Sequence, residues 1–277
     1  MLGKTTRVCD LGALQGEVLL FGGPYSNLQA SRALLERADS MAIAAPNRIC
    51  TGDMIAYCAN PAETLAALLG QVQTVAGNCE QQIAAGASDC GCGFEPGSAC
   101  DVLSGGWYPF AAEKIGARQR QILAGLPDVL AFAAFGRRYA VIHGGVSDIS
   151  RFLWPCSDDA EFVREIAAVG QLVGPVDGII AGHCGLAFQR TIGGVHWINP
   201  GAIGLPPNDG CCDTRYAILR PSGVTFERLV YDAGAARAAM EAEGLVQGYE
   251  RALTDGWWPS EDILPASLRR QPSRASG

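Results

Sequence analysis

Val72-Gln-Thr-Val-Ala-Gly77-Asn78-Cys79-Glu80 carries the reading of the whole chain: a short hydrophobic strand runs into glycine, and a polar residue follows at once. The same pattern recurs upstream in Arg48-Ile-Cys-Thr-Gly52-Asp53. Downstream it recurs in Tyr139-Ala-Val-Ile-His143-Gly144 and in Gly178-Ile-Ile-Ala-Gly182-His183. Each time the chain leaves a predicted strand at its C-terminal end and presents Asp53, Asn78, His143 or His183 there. In open α/β sheets that edge is where ligands bind. A Gly-Asp or Gly-Asn turn alone is commonplace. Four such exits from four strands, bearing a carboxylate, an amide oxygen and two imidazoles, make a candidate metal site. Mixed oxygen and nitrogen donors suit Mn, Fe, Zn or Ni better than Mg or Ca. Two of the chain's three histidines stand in this pattern. The third, His196, sits in Val-His-Trp-Ile and reads as a core or sheet-face residue.

Around these exits the elements follow in order. Glu17 to Gly22 reads as a strand, and a helix starts at Ser26 with Gln29 three residues on, as in a capping box. Asn60-Pro61-Ala62-Glu63 is a second helix start: cap, proline at the first position, acid at the third. Residues 81–106, rich in glycine and holding Cys90, Cys92 and Cys100, read as an irregular insertion with a helix after it. Strands are predicted at Val129–Phe135 and Tyr139–Ile142, a helix near Ala160–Val169, and a strand at Gly178–Ala181. Phe188–Ile192, Val195–Ile198, Arg215–Leu219 and Val224–Tyr231 then follow as strands without intervening helices. The alanine-rich stretch from Ala233 to Leu253 reads as helix. Trp257 and Trp258 read as a hydrophobic clamp for the tail, ahead of a disordered polar end. Strand–helix alternation followed by a strand-only stretch predicts an α/β sandwich. It is divided into a main domain over 1–232 and a helical tail over 233–277.

Composition bounds the function. The 277 residues are 48% hydrophobic and 18% charged, which describes a globular chain with a large core. A formal net charge of −7 and the lack of a basic run argue against nucleic-acid duplexes and polybasic membrane attachment as partners. Lys4, Arg7, Asp10 and Glu17 break up the first twenty residues, so no signal peptide is expected. No apolar run approaches eighteen residues, so no membrane span is expected either. These features together predict a cytoplasmic protein.

Six motifs, in order, resemble the calcineurin-like metallophosphoesterases, in particular their small bacterial phosphodiesterase branch. They are Gly52-Asp53 with Ala56 to Pro61 after it, Gly77-Asn78-Cys79-Glu80, Leu126-Pro127, Ile142-His143-Gly144, Gly182-His183, and Asn199-Pro200-Gly201-Ala202-Ile203-Gly204. The resemblance implies a four-layer α/β/β/α sandwich of two mixed sheets and hydrolysis of a small phosphorylated substrate or nucleotide. It also implies two metals, and here the chain departs from the pattern. Gly23, Tyr25 and Gly185 stand where the family carries the ligands unique to the first metal. The second metal's set, Asp53, Asn78, His143 and His183, is complete. Cys79 stands where the family carries a histidine that protonates the leaving group, so Cys79 and His143 are the candidate catalytic residues. Tyr25 reads as a neutral phenol bonding to substrate or a neighbour, with a phenolate ligand as the alternative.

The chain has eleven cysteines, many for a protein of a reducing compartment. Cys79, Cys90, Cys92 and Cys100 fall within twenty-two residues, Cys58 follows Asp53, and Cys184 follows His183. One reading is a thiolate site for Zn or Fe built from Cys90, Cys92 and Cys100 with Cys79 or Cys58. The other is buried small apolar residues with a few loop thiols. Cys9, Cys50, Cys156, Cys211 and Cys212 belong with the latter. The leading expectation is therefore a single-metal phosphoester hydrolase. The alternatives are a non-catalytic metal- or nucleotide-binding protein and a thiol-metal redox sensor on the same fold.

Overall fold

The structure, a computed structural model, describes residues 5–270. The polar end over 271–277, expected to be disordered, lies outside them. Eleven strands form two mixed sheets. β1 (Val8–Ala13), β5 (Val129–Ala134), β6 (Arg137–Val141), β7 (Gly178–Ile180), β9 (Val195–Pro200) and β8 (Ala187–Ile192) lie side by side in that order. The second sheet runs β11 (Gly223–Leu229), β10 (Thr214–Arg220), β2 (Val18–Phe21), β3 (Arg48–Cys50), β4 (Gln73–Thr74). Eight α-helices flank them among the described residues: α1 (Leu28–Ser40), α2 (Pro61–Leu68), α3 (Asn78–Ala85), α4 (Ala99–Lys114), α5 (Ala117–Gly125), α6 (Asp159–Val173), α7 (Ala233–Ala242) and α8 (Tyr249–Asp255).

Alternation along the strands builds the layers, because successive side chains point to opposite faces. Val18 and Leu20 join Leu130, Phe132, Val141 and Ile198 between the sheets. Leu19 and Phe21 point the other way, onto Leu34, Leu65 and Leu253 of the helices. Ala140, Ile179 and Trp197 pack outward against Phe162 and Val169 of α6. Both sheets are thus covered on both faces, as the four-layer expectation requires.

The elements differ from the sequence reading in several places, one being that two helices, α4 and α5, stand where one was expected before β5. β1 was not expected, because Asp10 and Gly12 mask the pattern of an exposed edge strand; it pairs parallel with β5. Helix α1 starts at Leu28, not Ser26, since Asn27 is the cap whose side-chain oxygen accepts from the Ala30 N–H. Residues 81–106 are less irregular than read: α3 and α4 take the two ends, leaving coil only over 86–98. Residues 233–253 form two helices rather than one, broken where Gly244 and Gly248 adopt positive φ.

Candidate metal centre

Strands β3 and β4 of one sheet and β6 and β7 of the other end at a common edge, and the chain exits there carry the four expected side chains. Asp53, Asn78 and His143 are buried and His183 nearly so. His143 is the hub. Its Nδ1 lies 2.6 Å from the Thr51 carbonyl oxygen, and its Nε2 lies 3.0 Å from Asn78 Oδ1 and 3.0 Å from His183 Nδ1. Asp53 Oδ2 is 3.3 Å from the same Nε2. Donor atoms about 2.1 Å from a shared ion sit about 3.0–3.4 Å from one another in octahedral or tetrahedral shells. These separations fit that spacing.

Hydrogen-bond chemistry gives the same answer independently. A carbonyl only accepts, so the Thr51 oxygen assigns the ring proton of neutral His143 to Nδ1 and leaves a lone pair on Nε2. The Asn78 amide is oriented likewise, because its Nδ2 donates to the Cys90 carbonyl at 2.8 Å and so turns Oδ1 toward His143. Lone pairs of His143 Nε2, Asn78 Oδ1 and Asp53 Oδ2 therefore converge. A cation would satisfy all three at once; without one, the Nδ1–H tautomer of His183 donates to His143 Nε2 at 3.0 Å. A metal-bound histidine that donates its other N–H to a backbone carbonyl is the usual supporting arrangement. The residues present fit a divalent transition metal.

The charges lean the same way. Burial works to raise the Asp53 carboxyl, but His143 and His183 outweigh it and hold it below its ordinary value. Burial works to lower His143, but the Asp53 carboxylate outweighs it and raises the ring above the usual imidazole value. Burial and the neighbouring His143 drive His183 down to about 3, so its ring is neutral and its nitrogen free to coordinate.

The site is built under backbone constraint. Tyr25, Ser26, Asp53, Tyr57 and His183 account for five of the eight non-glycine residues with positive φ among the described residues, a costly conformation that concentrates at functional sites. Gly77 has no room for a Cβ, which would collide with the Asp53 backbone N and lie 2.8 Å from Glu80 Oε2. This crowding lets the Asp53 and Asn78 turns touch. Glu80, one turn into α3, locks them together. Its carboxylate accepts from the backbone N–H groups of Asp53 (2.8 Å), Gly77 (2.8 Å) and Ile55 (3.1 Å). The sequence offered only a motif position for Glu80; nothing marked it as the clamp between two ligand-bearing turns.

The positions that depart from the family pattern lie together. A Cβ added at Gly23 would run into the Tyr25 ring, and one added at Gly185 would stand 3.7 Å from Tyr25 Oη. The Tyr25 ring thus fills the space between the two glycines. Burial first, and the Asp53 charge second, keep its phenol protonated.

The cysteines divide. Asn78 Nδ2 lies 3.6 Å from Cys79 Sγ and 3.2 Å from Cys92 Sγ, and Cys90 is in the same group through its carbonyl. Cys58 instead faces the Gly204 carbonyl at 3.8 Å, and Cys100 faces Ser260 Oγ at 3.7 Å. Contact with Cys92 favours the Cys79 thiolate, but burial and Asp53 push its thiol well above the ordinary range. Among the described residues, the metal-capable trio with mutually close donor atoms is Asp53, His143 and His183. His196 lies on a sheet face, 2.8 Å from Gln189 Oε1.

A cavity of about 60 Å³ opens onto the centre, with Asp53, His183, Tyr25, Cys92 and Gly185 among the residues that line it. Trp258 forms part of its wall, held by Nε1 donating to the Pro206 carbonyl at 2.6 Å. Trp258 also packs against the core cluster beside α6, and Trp257 lies under the Arg270 guanidinium at 5.0 Å, so both pin the C-terminal segment. No helix among the described residues is long and apolar enough to cross a membrane.

Known proteins share this fold. The fold is similar to that of a hypothetical protein from Pyrococcus horikoshii OT3, with a TM-score of 0.71 at 17% identity over 87% of this chain and 98% of that one. It is also similar to a metallophosphoesterase from Sphaerobacter thermophilus, with a TM-score of 0.60 at 21% identity over 88% of this chain and 100% of that one. At such identities the likeness speaks for the fold. No curated protein sequence matches. The sequence itself matches the family model of the calcineurin-like phosphoesterase superfamily domain over residues 25–221. That stretch is well over half of the chain and holds all four converging side chains, so the chain belongs to the calcineurin-like phosphoesterase superfamily.

Proposed function

We propose that this chain is a phosphoester hydrolase working with one divalent transition metal, Mn, Fe, Zn or Ni, held by Asp53, Asn78, His143 and His183. The observation that carries the proposal is the convergence of three lone pairs on one point, with the His143 proton tied to the Thr51 carbonyl. A cation there polarises a phosphoryl oxygen and lowers the pKa of a bound water. Around it, Glu80 and Thr51 hold ligands in place, and the protonated Tyr25 phenol offers a hydrogen bond into the cavity. Tyr25 also takes the space between Gly23 and Gly185, where the family pattern carries the other metal, and this favours a single-metal centre.

Cys79 bears on the rate. It is buried against Cys92, with its thiol pushed well above the ordinary range, and in this reading it is not the acid for the leaving group. A positioned general acid is typically worth about 10²–10⁴-fold. Hydrolysis should therefore depend steeply on the leaving group, with bis(p-nitrophenyl) phosphate cleaved and dimethyl phosphate essentially inert. The missing acid also favours the second reading, a non-catalytic metal-binding protein on the same fold. Elemental analysis of anaerobically purified protein, with hydrolysis of the aryl diester under added Mn²⁺ or Fe²⁺, separates the readings. About one metal per chain, with hydrolysis abolished in Asp53→Asn, is the expected result. One metal without hydrolysis selects the second reading, and two metals per chain in the Cys79→Ser, Cys90→Ser, Cys92→Ser triple variant contradict the single centre. The triple variant also tests the cysteine-held Zn or Fe expected from the sequence, although among the described residues Cys79, Cys90 and Cys92 do not form a mutually close donor trio.

A further inference from the structure

The cavity over the metal centre has an unusual lining for a phosphate site. Among the described residues that form it, none is lysine or arginine, and its one carboxylate is Asp53. Its walls are Phe152, Trp154, Trp258, Tyr249, Leu205 and Ile263. Phe152 and Trp154 stack with ring centroids 5.3 Å apart and planes 5° apart, and Phe152 lies 4.1 Å from the His183 ring. An aromatic face thus stands directly beside a metal ligand. Tyr249, Trp258 and Ile263 come from beyond residue 221, where the family match ends. The C-terminal segment, outside the shared domain, therefore supplies one side of the site.

Charge balance turns this lining into a selectivity. A divalent cation against the Asp53 carboxylate, with the Glu80 carboxylate behind it, leaves at most one net positive charge, and burying an unpaired charge is costly. A ligand with one negative charge is balanced; a phosphomonoester dianion or a polyphosphate leaves excess charge with no basic side chain to meet it. Aromatic walls reward a planar apolar group through burial and offset or edge-on ring contacts. Resting on the single-metal reading above, we propose that the segment carrying Trp258 and Ile263, with Phe152 and Trp154, forms a cation-free aromatic subsite for the ester arm of a singly charged phosphodiester bearing a planar apolar group. Polyphosphates and phosphomonoesters are excluded by the same walls.

The test uses the full-length, metal-loaded protein and binding rather than turnover. Diphenyl phosphate, phenyl phosphate and pyrophosphate are titrated by calorimetry, with tryptophan fluorescence as a second readout. Diphenyl phosphate should bind at least about tenfold more tightly than either dianionic probe. Trp258→Ala should erase about tenfold of that preference, whereas Trp258→Phe, which keeps an aromatic face, should retain most of it. Thermal unfolding of both variants shows whether the fold survives. Ser260→Lys, which places a cation on the wall at a half-buried position, gives a second route and should raise the affinity for phenyl phosphate. A metal-loaded protein that binds phenyl phosphate as tightly as diphenyl phosphate overturns this inference alone. A protein that takes up no metal overturns the reading beneath it as well.

Discussion

Glu80 shows how one side chain decides whether Asp53 and Asn78 meet. Its Oε2 accepts from Asp53 and Gly77, and its Oε1 accepts from Ile55. In Glu80→Gln an NH₂ group faces one of these N–H donors, leaving a buried donor unpaired. The expected cost is about 1–3 kcal/mol in urea unfolding, with metal affinity falling roughly 10–100-fold; unchanged values in both would refute the clamp. Cys79 is a second such case. An imidazole there would be forced into a site that is 1% exposed and already filled by Cys92. Cys79→His should lower stability by about 1–3 kcal/mol without raising hydrolysis of a dialkyl phosphate, whose leaving group needs a proton, and a rise in that rate would show that the position does reach the leaving group. Protons compete for the same centre. The proton that must leave for metal to bind sits on His143, whose pKa is raised, so affinity is retained at higher pH and lost as pH falls through that raised value. His183, driven to about 3, does not compete in that range. Mn²⁺ titrations at stepwise lower pH should show the decline beginning above the ordinary imidazole value.

Elements place these residues, and α6 has a part that its sequence does not advertise. Its fully buried Glu165 reaches the loop after β6, accepting from the Val146 N–H at 2.7 Å and pairing with Arg151 Nε at 3.0 Å. That loop runs from His143 to the Phe152 and Trp154 walls, so one carboxylate fastens both a ligand and the aromatic subsite. Glu165→Ala leaves Arg151 and the loop N–H groups without their partner. It should cost about 3 kcal/mol and change Trp154 fluorescence; an unchanged spectrum would detach α6 from the site. The strand ends bearing Asp53, Asn78, His143 and His183 were legible because hydrophobic runs that stop at glycine are local signals. Glu165 was not, since an acid on an amphipathic helix looks the same whether it faces solvent or a loop.

At the scale of the molecule the C-terminal helices bury side chains in the core. Leu253 and Ala252 are fully buried among the helices over the second sheet, and Leu264 is buried beside α6. Leu253→Ala should cost about 2–5 kcal/mol. A chain ending at residue 232 should unfold at a clearly lower temperature, and an unshifted melting curve would make 1–232 a self-sufficient domain. By itself the sequence determined the α/β class, the order of most elements, the family and the four converging side chains. Each of these is written in short-range signals: period-two hydrophobicity, glycine at strand ends and the polar residue that follows. Only the tertiary structure decided that Tyr25 fills the space between Gly23 and Gly185. It also parted Cys58 and Cys100 from the other thiols, and turned Trp258 and Ile263 into walls of the site. Those outcomes depend on contacts between residues far apart in the chain, where packing rather than local propensity chooses the neighbour, and no local pattern encodes that choice.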